Sequence, residues 1–291
     1  MALLSCVAKP PSVPALSEQL GGAGGGGLIT STSNSTIKLI RGLRARKERD
    51  RQGRYFVEGI RVVGEAVQNG ATIDLIVVAP GLLTSEFALT TVEEAQRDGV
   101  PTLAVSDEVF QSLSLRDGPQ GIGAIVRQRW EPLSSLRPQG DDLWVALEAV
   151  QDPGNLGTIL RTADAVGACG VILVGQATDP YDPVAVRASM GSVFAQRLVK
   201  ATVSDFLAWR RATKVSLVGT SGAGATGYRK MRYPKPLVLI SGSERQGLSF
   251  ELLESCDAVV QIPMVGRPDS LNLAVATSVV LYEIFAQRHP A

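Results

Sequence analysis

Histidine is all but missing from this chain of 291 residues. The only one, His289, lies in the last three positions, where chains are usually mobile. Its placement excludes Ser-His-Asp triads, His-ligated metals and imidazole acid–base chemistry. Cysteine is nearly as scarce: Cys6, Cys169 and Cys256 are too few and too scattered for a disulfide framework or a zinc site. The expectation is therefore no metal and a reducing compartment, the cytoplasm. No apolar run reaches the ~20 residues of a membrane span. The apolar opening Met1 to Ala8 has no basic lead and ends at Lys9-Pro10-Pro11, so it is not read as a targeting segment. Charge of one sign is lacking too: 29 Lys and Arg stand against 28 Asp and Glu, which at first argues against a nucleic-acid partner.

The charge that is present is unevenly spread. Between Lys38 and Arg54 stand Lys38, Arg41, Arg44, Arg46, Lys47, Arg49, Arg51 and Arg54 against Glu48 and Asp50 alone. Such a segment suits a phosphate backbone or, equally, a solvated helix face. Residues 1–33, rich in Pro, Gly, Ser and Thr, read as a disordered tail. Residues 34–128 read as a small α/β domain: Ile37, Leu39, Ile40 and Leu43 at helical spacing, and strands at Tyr55-Phe56-Val57, Ile73 to Val78, Leu103 to Val105 and Ile122 to Val126. Pro132, Pro138 and Gly140 mark 129–142 as a linker. A second α/β rhythm fills 143–291, including one helix from Pro183 to Phe194. The last helix carries Glu283 as its only charge from Leu271 to Ala286, the mark of a helix buried on more than one side.

Gly222-Ala223-Gly224-Ala225-Thr226-Gly227 matches the dinucleotide fingerprint, which requires a helix after its third glycine. Nine residues with two prolines separate Gly227 from the next strand, too few for a crossover helix. Residues 221–236 are therefore read as a flexible glycine loop.

Three other stretches follow predicted strands, at the carboxyl edge where open α/β sheets bind ligands. The first, Asn155-Leu156-Gly157-Thr158-Ile159-Leu160-Arg161, is read as a helix capped by Asn155 and carrying Arg161, which is either an ion-pair partner or a phosphate clamp. The second, Gly242-Ser243-Glu244-Arg245-Gln246-Gly247, has a glycine that lets a ligand approach the backbone, and a carboxylate. The third is Ile262-Pro263-Met264 running on to Ser270-Leu271-Asn272. It offers an apolar bend suited to an adenine, with Ser270 as N-cap of the final helix and Asn272 in its first turn.

Together these stretches resemble the signature motifs of the SpoU/TrmH branch of the SPOUT RNA methyltransferases. Arg187-Ala188-Ser189-Met190-Gly191 also resembles a segment of those enzymes, and 34–128 is similar to the substrate-binding domain many of them carry. The resemblance implies an α/β trefoil-knot methyltransferase domain behind a small α/β domain, and a homodimer joined through the C-terminal helix. It implies S-adenosyl-L-methionine bound by Thr220, Gly222, Gly242, Ile262, Met264 and Leu271, and a ribose 2′-hydroxyl of structured RNA as acceptor, ribosomal RNA being favoured over transfer RNA. Arg161 handles the hydroxyl proton by that resemblance, with Asn155, Glu244, Ser270 and Asn272 orienting the reactants and Arg41, Arg44, Lys47 and Arg187 contacting RNA. Guanidinium stays protonated in almost any setting, so the physical expectation for Arg161 is phosphate fixation and stabilisation of the developing alkoxide. A catalytically silent RNA-binding relative and a nicotinamide-dependent oxidoreductase are the competing classes, the latter disfavoured by the missing helix after Gly227.

Overall fold

The computed structural model describes residues 27–290, so the expectation of a disordered tail over residues 1–26 lies outside the described residues. The chain divides into two compact units between Arg127 and Gln128. The first contains α1 (Ser35–Gly42), α2 (Arg46–Gln52), β1 (Arg54–Glu58), α3 (Ile60–Gln68), β2 (Ile73–Val78), α4 (Glu86–Arg97), β3 (Thr102–Ala104), α5 (Asp107–Leu113) and β4 (Ile122–Arg127). Its sheet has the order β1-β4-β2-β3, with β4 antiparallel to both neighbours and β2 parallel to β3. Asn34 starts α1 by accepting a hydrogen bond from the Thr36 amide at 2.9 Å. That helix then lays Ile37, Ile40 and Leu43 onto Leu75, Val77, Phe110 and Ile125. Ordered chain begins earlier than the expected tail boundary at residue 33: Ile29 bridges Val105, its amide 3.0 Å from the Ala104 carbonyl.

The basic segment is not one helix but α1, α2 and the start of β1. Its cations divide by environment. Arg49 and Arg54 are buried; Arg49 donates to the Leu43 and Arg44 carbonyls at 3.1 and 2.6 Å, and Arg54 and Arg127 clasp the buried Asp74 from two sides. Arg51 pairs with Glu48. Arg41 and Arg44 turn to the end of α5, donating to the Ser112 hydroxyl and to the Ser112 and Ser114 carbonyls at 2.9–3.2 Å, where free helix carbonyls attract cations. Lys47 is exposed.

The second unit contains β5 (Leu143–Glu148), α6 (Pro153–Ala165), β6 (Gly170–Val174), α7 (Pro183–Ser189), α8 (Ser192–Ala195), β7 (Arg197–Ala201), α9 (Val203–Thr213), β8 (Ser216–Thr220), β9 (Thr226–Gly227), β10 (Leu237–Ser241), α10 (Phe250–Ser255), β11 (Ala258–Gln261) and α11 (Leu273–Arg288). Seven parallel strands take the order β7-β6-β5-β10-β8-β11-β9. The central strands β5, β6 and β10 are buried throughout, which explains why their sequences are continuous apolar runs without alternation. The single helix expected over 183–194 is broken: Met190 and Gly191 take positive φ values of 53° and 102°, and α7 and α8 lie on either side. Residues 129–142 are not a loose linker. The Glu131 amide donates to the Leu198 carbonyl at 2.8 Å, Glu131 holds Arg197 in a bidentate pair, and the Trp209 indole donates to the Leu136 carbonyl.

Strand order places the site. The chain builds β5, β6 and β7 outward in one direction, crosses to β8 and leaves a gap that β10 later fills between β5 and β8. It then passes beyond β8 to β11 and doubles back, so that α11 packs on α6 and β10. The carboxyl ends of β8, β10 and β11 are thereby drawn to one place, at a reversal in strand order where ligands of open α/β sheets bind.

Candidate active site

A cavity of about 360 Å³ opens at those carboxyl ends. Its wall includes Thr220, Ser221 and Gly222 after β8, Gly242, Ser243, Glu244, Arg245 and Gly247 after β10, Val260, Ile262 and Met264 from β11 and its loop, and Asp269, Ser270, Leu271, Leu273 and Ala276 at the entry to α11. The six residues expected to hold a methyl donor all lie in this wall, together with Glu244 and Ser270. Asn155, Asn272, Arg161 and Arg187 do not.

Gly242 is glycine for a reason other than the expected one. A Cβ there would overlap the backbone of Gly247 and Leu248, because residues 243–247 close a tight loop in which Ser243 and Gly247 exchange both backbone hydrogen bonds at 3.0 Å. The missing side chain lets the chain fold on itself, and that fold presents Glu244 to the start of α6.

Glu244 gathers the first motif. It accepts hydrogen bonds from the Gln151 and Asp152 amides at 3.1 and 3.2 Å and from Asn155 Nδ2 at 3.0 Å. Asn155 Oδ1 in turn accepts from Asn272 Nδ2 at 2.9 Å, and Asn272 Oδ1 accepts from the Ala274 and Val275 amides at 2.9 and 3.2 Å. The direction of this chain is fixed at both ends: α11 donates to one end and an acceptor-only carboxylate terminates the other, so each amide can point one way only. Partial burial pushes the Glu244 carboxyl upward. Hydrogen bonds from Asn155, from its own backbone amide and from Gln151 and Asp152 outweigh it and hold the pKa below the usual carboxylate value.

Two capping assignments change. The N-cap of α6 is Asp152, whose Oδ1 accepts from the Asn155 amide at 2.7 Å, with Pro153 in the first turn. The N-cap of α11 is Asn272, not Ser270, whose hydroxyl donates to Asp269 at 3.3 Å. Moving each cap by a few residues matters chemically, because it turns the Asn155 side chain outward as a link and makes Asn272 the origin of the amide chain. A further feature is polar and buried: Thr220 and Thr277 both donate to the Ser241 hydroxyl at 3.0 Å, tying β8, β10 and α11 together beneath the cavity. Its sequence signal was present in a lone Ser ending an apolar strand and a lone Thr inside an apolar helix.

Arg161 lies on α6 six residues beyond Asn155, about 9 Å along the helix axis. It is exposed and makes no ion pair among the described residues. The ion-pair alternative for Arg161 thus has no partner within this chain's described residues. Helix α6 is held firmly behind it: Gly157 abuts the Ala185 carbonyl and Ala188 of α7 so closely that a Cβ would overlap them, and Thr162 shares a 3.0 Å hydrogen bond with Ser278 of α11. Arg187 is exposed in the last turn of α7. In place of a Rossmann helix, residues 221–227 make a turn closed by the Gly224 amide on the Ser221 carbonyl at 3.1 Å, and then β9 pairs with β11.

The SpoU rRNA methylase family matches residues 142–282, and the MRM3-like substrate binding domain matches residues 34–124. A 23S rRNA (uridine(2479)-2′-O)-methyltransferase of Streptomyces viridochromogenes is 34% identical over 84% of this chain and 86% of its own length. The chain belongs to the SpoU rRNA methylase family. Another relative, the 23S rRNA (guanosine(2553)-2′-O)-methyltransferase RlmP of Bacillus subtilis, is 28% identical over 88% of this chain and 98% of its own. The crystal structure of an AdoMet-bound rRNA methyltransferase from Sinorhizobium meliloti superposes with a TM-score of 0.82 at 42% identity, covering 91% of this chain and 98% of that one. The expected fold class is borne out: a SPOUT methylase domain follows a small α/β substrate-binding domain. The return of the chain from β11 to α11 is the part of that domain expected to be knotted.

Proposed function

We propose that this protein transfers a methyl group from S-adenosyl-L-methionine to a ribose 2′-hydroxyl of 23S ribosomal RNA. The observation that carries this reading is the cavity at β8, β10 and β11, with an amide chain that starts from Glu244 in its wall and joins all three SpoU motifs. Relatives named as 23S rRNA 2′-O-methyltransferases, and the AdoMet-bound structure from Sinorhizobium meliloti, support it. The cavity suits the donor chemically. Val260, Ile262, Leu271, Leu273 and Ala276 offer an apolar slot for an adenine, while Thr220, Ser221 and Glu244 offer polar partners for a sugar and an amino-acid portion.

When bound, the donor supplies a sulfonium-activated methyl group to an oxygen nucleophile. The chain's own groups then have separable tasks. Glu244, held ionised, keeps the loop after β10 drawn against the first turn of α6. Asn155 and Asn272 transmit that hold to α11, so the three loops keep one spacing, as an in-line transfer requires. Arg161, a permanent cation without an acidic partner among the described residues, binds the phosphate beside the target ribose and stabilises the negative charge that develops on the attacking hydroxyl oxygen as its proton passes to solvent. Ser270, in the cavity wall, helps orient the reactants. Lys47, Arg187 and the outward parts of Arg41 and Arg44 serve as further RNA contacts.

The reading includes a homodimer formed through α11. Val275 and Tyr282 are 50% and 52% exposed on a helix whose other side is already buried on α6 and β10, and an isologous pair would cover them. Light scattering of the purified protein checks this, with twice the mass of the chain expected. The reading also places the protein in the cytoplasm with its RNA; Cys169 and Cys256 are free thiols, and no helix among the described residues is long and apolar enough to cross a membrane. The test of function is incubation with labelled donor and either protein-free 23S rRNA or bulk transfer RNA, followed by mapping of ribose methylation. One new 2′-O-methyl position in 23S rRNA is expected. Label in transfer RNA alone would move the reading to that substrate, and label in neither would overturn it.

A further inference from the structure

The segment between β9 and β10, set aside by the failed dinucleotide fingerprint, carries Tyr228-Arg229-Lys230-Met231-Arg232-Tyr233. Its backbone is held at several points. The Tyr228 amide donates to the Gln261 carbonyl at 2.9 Å and the Lys230 amide to the Gly227 carbonyl at 2.8 Å. The Tyr233 hydroxyl donates to the Tyr228 carbonyl at 2.9 Å. Gln287 of α11 accepts from the Tyr233 amide and donates to the Met231 carbonyl. The fold therefore fixes this loop mainly through its backbone, its tyrosines and Gln287, and of its three cations only Arg229 is engaged, on the neighbouring Tyr228. Arg229, Lys230 and Arg232 are exposed and form no ion pair among the described residues. Arg229 lies along Tyr228, its Nε 2.9 Å from the phenol oxygen.

Position gives these charges a direction. Parallel pairing of Val260 with Thr226 and Gln261 with Gly227 continues in the Tyr228 amide's bond to the Gln261 carbonyl, and the next residue, Ile262, is in the cavity wall. From there the chain carries the cations toward Gln287 in the last turn of α11. None of the three charges is balanced by an acidic side chain among the described residues, whereas a polyanion passing the cavity would pair with all three.

Resting on the methyltransferase reading, we propose that Arg229, Lys230 and Arg232 form a phosphate-binding strip on the catalytic unit that holds the RNA backbone flanking the target nucleotide. The contact is to phosphates, not to base edges, because the strip offers cations and no fixed acceptor. Its contribution is therefore to affinity and salt dependence, without sequence preference.

The test compares wild-type protein with the triple variant Arg229→Gln, Lys230→Gln, Arg232→Gln, using protein-free 23S rRNA as probe over a range of salt concentrations. S-adenosyl-L-methionine binding is followed calorimetrically in parallel. A tenfold or greater rise in the RNA dissociation constant is expected, with the slope of log affinity on log salt falling by about 2 to 3 and donor binding unchanged. A charge-keeping variant, Arg229→Lys with Arg232→Lys, should retain the wild-type slope. A control, Arg211→Gln with Lys214→Gln, removes exposed cations at the end of α9 and should also leave it. An unchanged slope in the triple variant while wild type binds RNA overturns the strip and spares the methyltransferase reading. An equal loss from the α9 control overturns it as well, since the charge would then act without regard to place. Wild-type protein that binds neither RNA nor donor overturns the reading and the strip together.

Discussion

Arg54 in the first unit and Arg161 in the second are the same residue type put to opposite uses. Arg54 is fully buried and spends its guanidinium on Asp74, alongside Arg127. Arg161 sits exposed on a rigid helix with no acidic partner among the described residues. The basic run 38–54 drew attention to the first unit, yet two of its arginines are buried and two more, Arg46 and Arg51, are paired with acidic neighbours. Net local charge in a sequence therefore overstates the charge offered to a ligand. What matters is how many cations the fold leaves unpaired, and whether something holds them still.

The largest stability effect is expected from Arg54→Ala, which leaves Asp74 buried with one partner lost. The first unit should lose roughly 3 kcal/mol, read as a lower midpoint in urea unfolding. If the loss is under 1 kcal/mol, the contrast between a structural and an available arginine fails. Next comes Asn272. Replacement by alanine removes both the α11 cap, worth about 1 kcal/mol, and the donor to Asn155. Asn272→Asp keeps the capping oxygen but removes the amide donor, so stability should return toward wild type while donor affinity and methylation stay reduced. Full recovery of activity in the aspartate variant would show that the amide chain does no more than cap the helix.

A smaller effect concerns pH. The folded-state pKa of Glu244 is depressed, so its contribution is complete above the ordinary glutamate range, near pH 4.3, and is lost as pH falls through the lower folded value. Donor binding should be flat from neutral pH down to about 4.5 and weaken only below that; Glu244→Gln should remove the acid limb. A change centred near pH 7 would contradict the assignment. Smallest is Lys47→Gln, expected to shift stability by no more than about 0.5 kcal/mol and the RNA salt slope by about 1, measured by titration of protein-free 23S rRNA.

The sequence carried the site further than it carried the capping and the charge. Three motifs at strand ends could be read together because each loop keeps its own local chemistry, and the cavity wall contains the expected Thr220, Gly222, Gly242, Ile262, Met264 and Leu271. The amide chain was not legible. It depends on Asp152 taking the cap of α6 and Asn272 taking that of α11, and the local sequence offers Asn155 and Ser270 as equally good caps. Helix α4 went unread although Ala88, Thr91, Val92 and Ala95 recur at helical spacing, since threonines and glutamates diluted the apolar signal. The break between α7 and α8 rests on a left-handed methionine, a conformation that propensity disfavours and tertiary packing imposes. The binding loop around Gly242 shows the reverse case, in which a glycine read for a ligand's sake is required first by the chain's own close approach.

The most direct test is to measure methyl transfer and donor binding on one preparation of Arg161→Ala. The expected result is S-adenosyl-L-methionine affinity within twofold of wild type, an unchanged unfolding midpoint and transfer to 23S rRNA reduced at least about a hundredfold. Transfer at a near-normal rate by the folded variant would contradict the account.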